Sequence, residues 1–219
     1  MQHFTHDWFS NSIAAWDVLV DTFKPAKLLE IGSYEGKSAC YLIDKCSQYA
    51  PVTLYCVDTW VGGLEHQELP ELKTIEQTFH KNIDHSIQNA NNPVVFYKRK
   101  GTSIVELSRL VAEGHTDFDL VYVDGSHMAA DVIADAVLGF KLLKVGGLMI
   151  FDDYMWKLKE SMNDDVRREL FYAVDHPRLA VDYFTGIYKN KIEVIRFHNE
   201  QNPDEVYETY QFYIKKTAE

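Results

Sequence analysis

The residues of this 219-residue chain best placed to do chemistry are acids that close short apolar runs. Glu30 lies near the end of Lys27-Leu28-Leu29-Glu30-Ile31 and precedes the turn Gly32-Ser33-Tyr34-Glu35-Gly36, while Asp58 ends Val52-Thr53-Leu54-Tyr55-Cys56-Val57. Asp124 follows Leu120-Val121-Tyr122-Val123, and Asp152-Asp153 follow Leu148-Met149-Ile150-Phe151. In an open parallel sheet, ligands bind outside the carboxyl ends of the strands, so acids at these positions converge on one cleft. Gly32 allows a sharp turn and close approach of a ligand to bare backbone; Gly36 lets a helix start beside it, with Ser33 placed to cap that helix. The G-x-x-x-G spacing is neither the dinucleotide fingerprint nor the phosphate-binding loop. With Glu30 ahead of it, the turn disfavours a pyrophosphate and suits a ligand carrying an ammonium group. Asp58 offers two oxygens to the hydroxyls of a ribose.

Asp124, Asp152 and Asp153 form a second constellation. Three carboxylates in one cleft raise one another's pKa unless a cation neutralises them, and hard oxygen donors suit magnesium. His127 lies three residues beyond Asp124; an imidazole with an ordinary pKa near ~6.5 accepts a hydroxyl proton at neutral pH. The competing reading of His127 is a cap for the helix starting near Met128. Thr102 and Ser103, after the third strand, are read equally as helix caps and as ligand contacts. Tyr154, Met155 and Trp156, and the segment from Val61 to Leu72, are candidate walls for a substrate.

These positions require an alternating frame. Trp8 to Phe23 has helical apolar spacing and stops at Lys24-Pro25, making residues 1–25 an N-terminal cap helix region. Strands are expected at Lys27–Ile31, Val52–Val57, Val94–Tyr97, Leu120–Val123 and Leu148–Phe151. Helices are expected at Lys37–Gln48, Glu71–Gln88, Ser103–Val111 and Ala129–Leu143. The alternation implies a doubly wound, Rossmann-like α/β domain with a mostly parallel seven-stranded sheet over residues 1–219. After Asp153 a charged helix is expected near Glu160 to Val174. Leu179–Phe184 and Ile192–Phe197, joined across Gly186 and Asn190, read as a C-terminal antiparallel hairpin. Glu205 to Lys216 alternates too loosely for an assignment.

Composition narrows the function. The formal charge of -11, from 22 basic and 33 acidic residues, disfavours phosphate backbones and anionic lipid, so neither nucleic acid nor membrane is expected as a partner. Lys98-Arg99-Lys100 and Lys215-Lys216 read as solvated strand ends. Three cysteines without metal-type spacing point to a reducing, cytoplasmic setting. His66, His80, His85 and His115 are expected on the surface without a role.

From about Lys27 to Tyr154 the chain resembles a class I S-adenosylmethionine-dependent methyltransferase. In that family the glycine loop holds the methionine part of the cofactor, here Glu30, Gly32, Ser33 and Gly36, and the acid of the second strand, here Asp58, holds the ribose. The resemblance places Thr102 and Ser103 against the adenine and makes Trp60 either a flat wall of the adenine pocket or a loop anchor. Asp124-Gly125-Ser126-His127 and Asp152-Asp153 are similar to small-molecule O-methyltransferases of the metal-dependent catechol and macrolide-sugar types. That similarity implies Asp124, Asp152 and Asp153 as metal ligands, although the catechol type commonly has asparagine where Asp153 stands. It also places His127, with Asp124 beside it, where the catechol type has a lysine acting as base, and implies a small hydroxylated methyl acceptor; a second copy of the chain is the other candidate partner. The competing readings are a nucleotide-dependent Rossmann enzyme and a non-catalytic binding module of the same fold.

Overall fold

A computed structural model describes residues 1–63, 66, 67, 69–156, 176–197 and 210–219. Seven strands form one sheet in the order β3-β2-β1-β4-β5-β7-β6. They are β1 (Lys27–Ile31), β2 (Val52–Asp58), β3 (Val94–Lys100), β4 (Phe118–Val123), β5 (Leu143–Phe151), β6 (Ile192–Ile195) and β7 (Phe212–Lys216). The first five run parallel, and β7 pairs antiparallel with both β5 and β6. The helices are α1 (Ile13–Phe23), α2 (Lys37–Cys46), α3 (Ile75–Asn89), α4 (Ser103–Ala112), α5 (Ala129–Leu142) and α6 (Pro177–Tyr188).

Strand residues alternate between two helical layers because successive side chains leave a strand on opposite faces. Leu28, Leu54, Cys56, Leu120, Tyr122 and Leu148 pack with Trp16, Ile43 and Phe79 of α1, α2 and α3. Leu29, Ile31, Val57, Val121 and Met149 pack with Leu107, Phe140 and Phe184 of α4, α5 and α6. Burial on both faces explains why the central strands read as continuous apolar runs. Glu30 belongs to the first of these faces, where it lies under α2.

The expected hairpin is corrected in its parts. Leu179–Phe184 lies inside α6, whose Pro177 occupies the first turn, where a proline costs no hydrogen bond. Ala180, Val181 and Phe184 are buried at helical spacing, and that spacing overrides a strand reading of the run. Ile192–Ile195 does form a strand, but its antiparallel partner is Phe212–Lys216, within the loosely alternating C-terminal segment. The expected helix near Glu160 to Val174 lies outside the described residues.

At the N-terminus a 3-10 turn, Ser10–Ser12, leads into α1, which ends at Lys24 in a left-handed conformation ahead of Pro25. Trp8 precedes the helical segment. Its ring stacks on His6 and His66, with centroids 4.5 and 5.4 Å away.

Candidate active site

The carboxyl ends of β1, β2, β4 and β5 are tied together by backbone. The Gly32 amide donates to the Val57 carbonyl, Asp124 N–H to Ile31, and Asp152 N–H to Val123, at 2.8, 2.8 and 2.9 Å. Gly32 has a φ of +83, and a Cβ added there would stand 1.9 Å from the carbonyl oxygen of Asp124. A glycine is therefore required both by conformation and by the close approach of the β4 end.

The loop after β1 is held from below by acids. Both the Ser33 and Tyr34 amides donate to Asp58 Oδ2, at 2.7 and 2.8 Å, and the Trp60 amide donates to Oδ1 at 2.6 Å. Tyr34 adopts a φ of +48 at the tip of the turn. Glu30 is fully buried and accepts hydroxyl hydrogen bonds from Ser33 and Ser38, each at 2.5 Å. Burial pushes its carboxyl up to about 7, against the lowering effect of the two serines and Cys56. Ser33 does not cap α2; Gly36 occupies that position in a left-handed conformation, and the Ser33 hydroxyl is committed to Glu30. Trp60 is a loop anchor: it is buried on Phe79, its indole N–H donates to the Tyr34 carbonyl at 3.1 Å, and the Lys98 ammonium lies over its ring.

At the ends of β4 and β5, Asp124, Asp152 and Asp153 are half-buried and offer one oxygen each within 4.8 Å of the others. Desolvation first, and then the charges of Asp152 and Asp153, raise the Asp124 carboxyl far above its ordinary value. Asp152 is likewise raised, by burial and then by Asp153. The Tyr122 hydroxyl donates to Asp152 Oδ2, and Gln211 Nε2 donates to Oδ1 at 3.1 Å. Gln211 also accepts the Trp16 indole N–H at 2.6 Å and the Tyr213 hydroxyl at 3.1 Å, so one buried network runs from α1 to the acid pair.

His127 does not cap α5, whose N-cap is Met128 without a side-chain cap. The Met128 amide donates instead to Ser126 Oγ at 3.1 Å. His127 Nε2 lies 2.7 Å from Asp153 Oδ2, and its ring stacks on Trp156 with centroids 4.6 Å apart. The Tyr210 hydroxyl donates to Asp153 Oδ1 at 2.9 Å. Tyr154 turns to Asp182 at 2.8 Å and packs on Phe212. Thr102 holds the N-cap position of α4, but its side chain makes no capping bond.

A glycine turn, an acid on the second strand and an acid cluster at the fourth and fifth, gathered at the carboxyl ends of parallel strands, fit group transfer from a nucleoside-bearing donor. Residues 29–154, more than half of the chain, match the family model of a methyltransferase domain. The chain belongs to this methyltransferase family.

No curated protein matches the sequence of this methyltransferase. Its fold is similar to that of the O-methyltransferase from Bacillus cereus solved in complex with SAH, with a TM-score of 0.58 and 16% identity over 97% of this chain and 84% of that one. TomG from Streptomyces achromogenes, an O-methyltransferase involved in tomaymycin synthesis and solved with SAM, gives a TM-score of 0.57 and 15% identity over 93% and 78%. Cofactor-bound Rv0187 from MTB gives 0.60 and 15% over 99% and 84%. At these identities the likeness is one of fold.

Three functional candidates of the methyltransferase escaped the sequence reading. Tyr210 and Gln211 lie in the loosely alternating C-terminal segment, whose antiparallel return beside β5 carries them to Asp152 and Asp153. Tyr122 alternates with core residues, and its hydroxyl faces Asp152 only because β4 and β5 are neighbours. Among the described residues, no helix is long and apolar enough to cross a membrane.

Proposed function

We propose that this methyltransferase uses S-adenosylmethionine to methylate a hydroxyl oxygen of a small molecule, with a divalent cation at Asp124, Asp152 and Asp153. The single observation that carries the reading is the meeting of His127 with the acid cluster at the ends of β4 and β5. The net charge of -11 favours a small acceptor over nucleic acid.

Glu30, Gly32, Ser33, Gly36 and Asp58 shape the methionine and ribose side of the cofactor site. Thr102, free of capping duty, and Ser103 face the loop side assigned to the adenine. The donor chemistry of the acid cluster fits a hard cation, because three carboxylates meet there and burial with mutual repulsion raises the pKa of Asp124 and Asp152, a cost that a positive charge offsets. When bound, such a cation supplies charge that offsets the carboxylates and lowers the pKa of a hydroxyl beside it. Asp153 orients the imidazole through its contact with Nε2 and steadies its protonated form, and His127 takes the acceptor's proton at the other ring nitrogen. Trp156 walls one face of the ring and excludes water there.

A second reading rests on Asp153 itself. Both of its oxygens are engaged, by His127 and by Tyr210, so Asp153 serves as orienter of the base while Asp124 and Asp152 hold the cation. Titrating magnesium into an EDTA-treated sample of the Asp153→Asn variant separates the two. A large loss of magnesium affinity makes Asp153 a ligand; retained affinity with lost turnover makes it an orienter. The overall reading is tested by calorimetry with SAH and NAD: SAH binding without NAD binding is expected, and the reverse contradicts it.

A further inference from the structure

Among the described residues, four that are not glycine have a positive φ. Lys24 ends α1; the other three, Tyr34, Trp60 and Asp153, stand in the loops after β1, β2 and β5. An L residue adopts this conformation at a cost, and its surroundings must hold it there. His127 and Tyr210 hold Asp153, and packing on Phe79 holds Trp60. Tyr34 sits at the tip of the cofactor turn. Its amide donates to Asp58 and its carbonyl accepts from Trp60, but its side chain is engaged by two segments outside the sheet.

The first of these is the chain ahead of α1, which forms a strap bound to α3 and to the turn. The His3 amide donates to Asn82 Oδ1 and the His3 carbonyl accepts from Asn82 Nδ2, both at 2.8 Å; the same Nδ2 donates to the Glu35 carbonyl at 2.9 Å. Asn82 is 1% exposed, so one buried amide joins helix, strap and turn. Thr5 donates from its amide and its hydroxyl to Glu35 Oε2, at 2.7 and 3.0 Å. The second segment follows β2 and carries Glu71 in a 3-10 turn, Pro70–Lys73. His6 Nε2 and the Tyr34 hydroxyl both meet Glu71 Oε1, the hydroxyl at 3.2 Å. A ring nitrogen facing a carboxylate carries a hydrogen, so one oxygen accepts from both strap and turn. Trp8 stacks on His6 and His66, with its centroid 5.1 Å from that of Tyr34.

We propose that Glu71 is a positioning residue of the cofactor site: its carboxylate, fixed by His6 of the strap, holds the Tyr34 side chain and so keeps the tip of the Gly32–Gly36 turn shaped for the donor before it arrives. The proposal rests on the reading of that donor as S-adenosylmethionine. A turn ordered in advance loses less freedom on binding, which raises affinity without a new contact to the ligand. The arrangement accounts for a tyrosine where glycine would meet no conformational penalty, and for a carboxylate set between an imidazole and a phenol. Asn82 and Glu35 dock the strap independently of Glu71, so the hold on Tyr34 is separable from the fold.

The test is SAH calorimetry on the full chain, with denaturant unfolding of the same samples. Glu71→Ala and Tyr34→Phe should each weaken SAH by about 3–10-fold, the range for one hydrogen bond, at an unchanged unfolding midpoint. The double variant should lose no more than either single one, because both remove the same bond. His6→Ala should weaken SAH in the same direction, and Glu71→Gln, which keeps an acceptor for the Tyr34 hydroxyl, should recover most of the affinity. Wild-type affinity in Glu71→Ala or His6→Ala, additive losses in the double variant, or no recovery in Glu71→Gln overturns the proposal. A loss that appears only with a matching fall in the midpoint marks a structural role and overturns it too. Should Glu71→Ala fail to fold, Tyr34→Phe decides: unchanged SAH binding overturns the proposal and weaker binding at an unchanged midpoint supports it. Failure of the wild type to bind SAH at all instead removes the cofactor reading on which the proposal stands.

Discussion

Replacing Gly32 by alanine tests the packing of the cofactor loop directly. The substitution incurs a positive-φ penalty of roughly 1–2 kcal/mol, and its Cβ would lie 1.9 Å from the Asp124 carbonyl oxygen. Relieving that overlap requires backbone movement, at roughly 1–3 kcal/mol for an overpacked site. Gly114 provides the internal control: its φ is +85 and an added Cβ meets nothing within 4 Å, so Gly114→Ala carries the conformational penalty alone. Denaturant unfolding should therefore place Gly32→Ala about 1–3 kcal/mol below Gly114→Ala at unchanged slope. Because relief of the clash displaces the β4 end, SAH affinity should fall in Gly32→Ala and hold in Gly114→Ala. Equal stability of the two variants, within about 0.5 kcal/mol, with intact SAH binding in both, refutes the claim that Gly32 is required by contact with Asp124.

His127→Ala should lower turnover by about 10²–10⁴ while leaving SAH affinity unchanged, as measured by product formation and calorimetry; undiminished turnover removes His127 as the base. Gln211→Leu leaves the buried Trp16 indole N–H without its acceptor and should cost about 1–3 kcal/mol in thermal or denaturant unfolding. The double variant Trp16→Phe/Gln211→Leu should recover much of that loss, and no recovery would show that the network is not the cause. Burial holds the Asp135 carboxyl at about 7 against an ordinary 3.8, so the native state binds more protons than the unfolded chain between those values. Stability from this group is thus fullest below ~pH 4 and is lost as the pH rises toward 7. Relative to wild type, Asp135→Asn should gain about 2–3 kcal/mol between pH 5 and pH 8, read from unfolding at each pH; a pH-independent difference contradicts a neutral buried acid.

The sheet was legible because its central strands are buried on both faces, which leaves unbroken runs such as Leu28-Leu29 and Leu148 to Phe151 closed by glycine or acid. The site acids were legible for a related reason: in this topology a polar residue at the end of an apolar run marks the ligand side of the sheet. What failed was local chemistry that tertiary contacts decide. Ser33 looked like a cap until β1 placed Glu30 beneath it, and Leu179–Phe184 looked like a strand although its buried residues follow a helical period. Tyr210 and Gln211 carried no signal, since their approach to Asp152 and Asp153 depends on a long-range return of the chain beside β5. The burial of Asp135 leaves no mark in the sequence, because an acid on a helix is normally solvated.

The central claim is transfer of a methyl group from S-adenosylmethionine to oxygen. It is tested most directly by incubating the protein with methyl-deuterated S-adenosylmethionine, magnesium and a panel of hydroxylated small molecules, phenols and sugars first, and reading products by mass spectrometry. The account predicts a deuteromethyl ether, formed together with SAH and suppressed by EDTA and by His127→Ala. Transfer to nitrogen, sulfur or carbon acceptors alone, at a rate indifferent to His127, would contradict it.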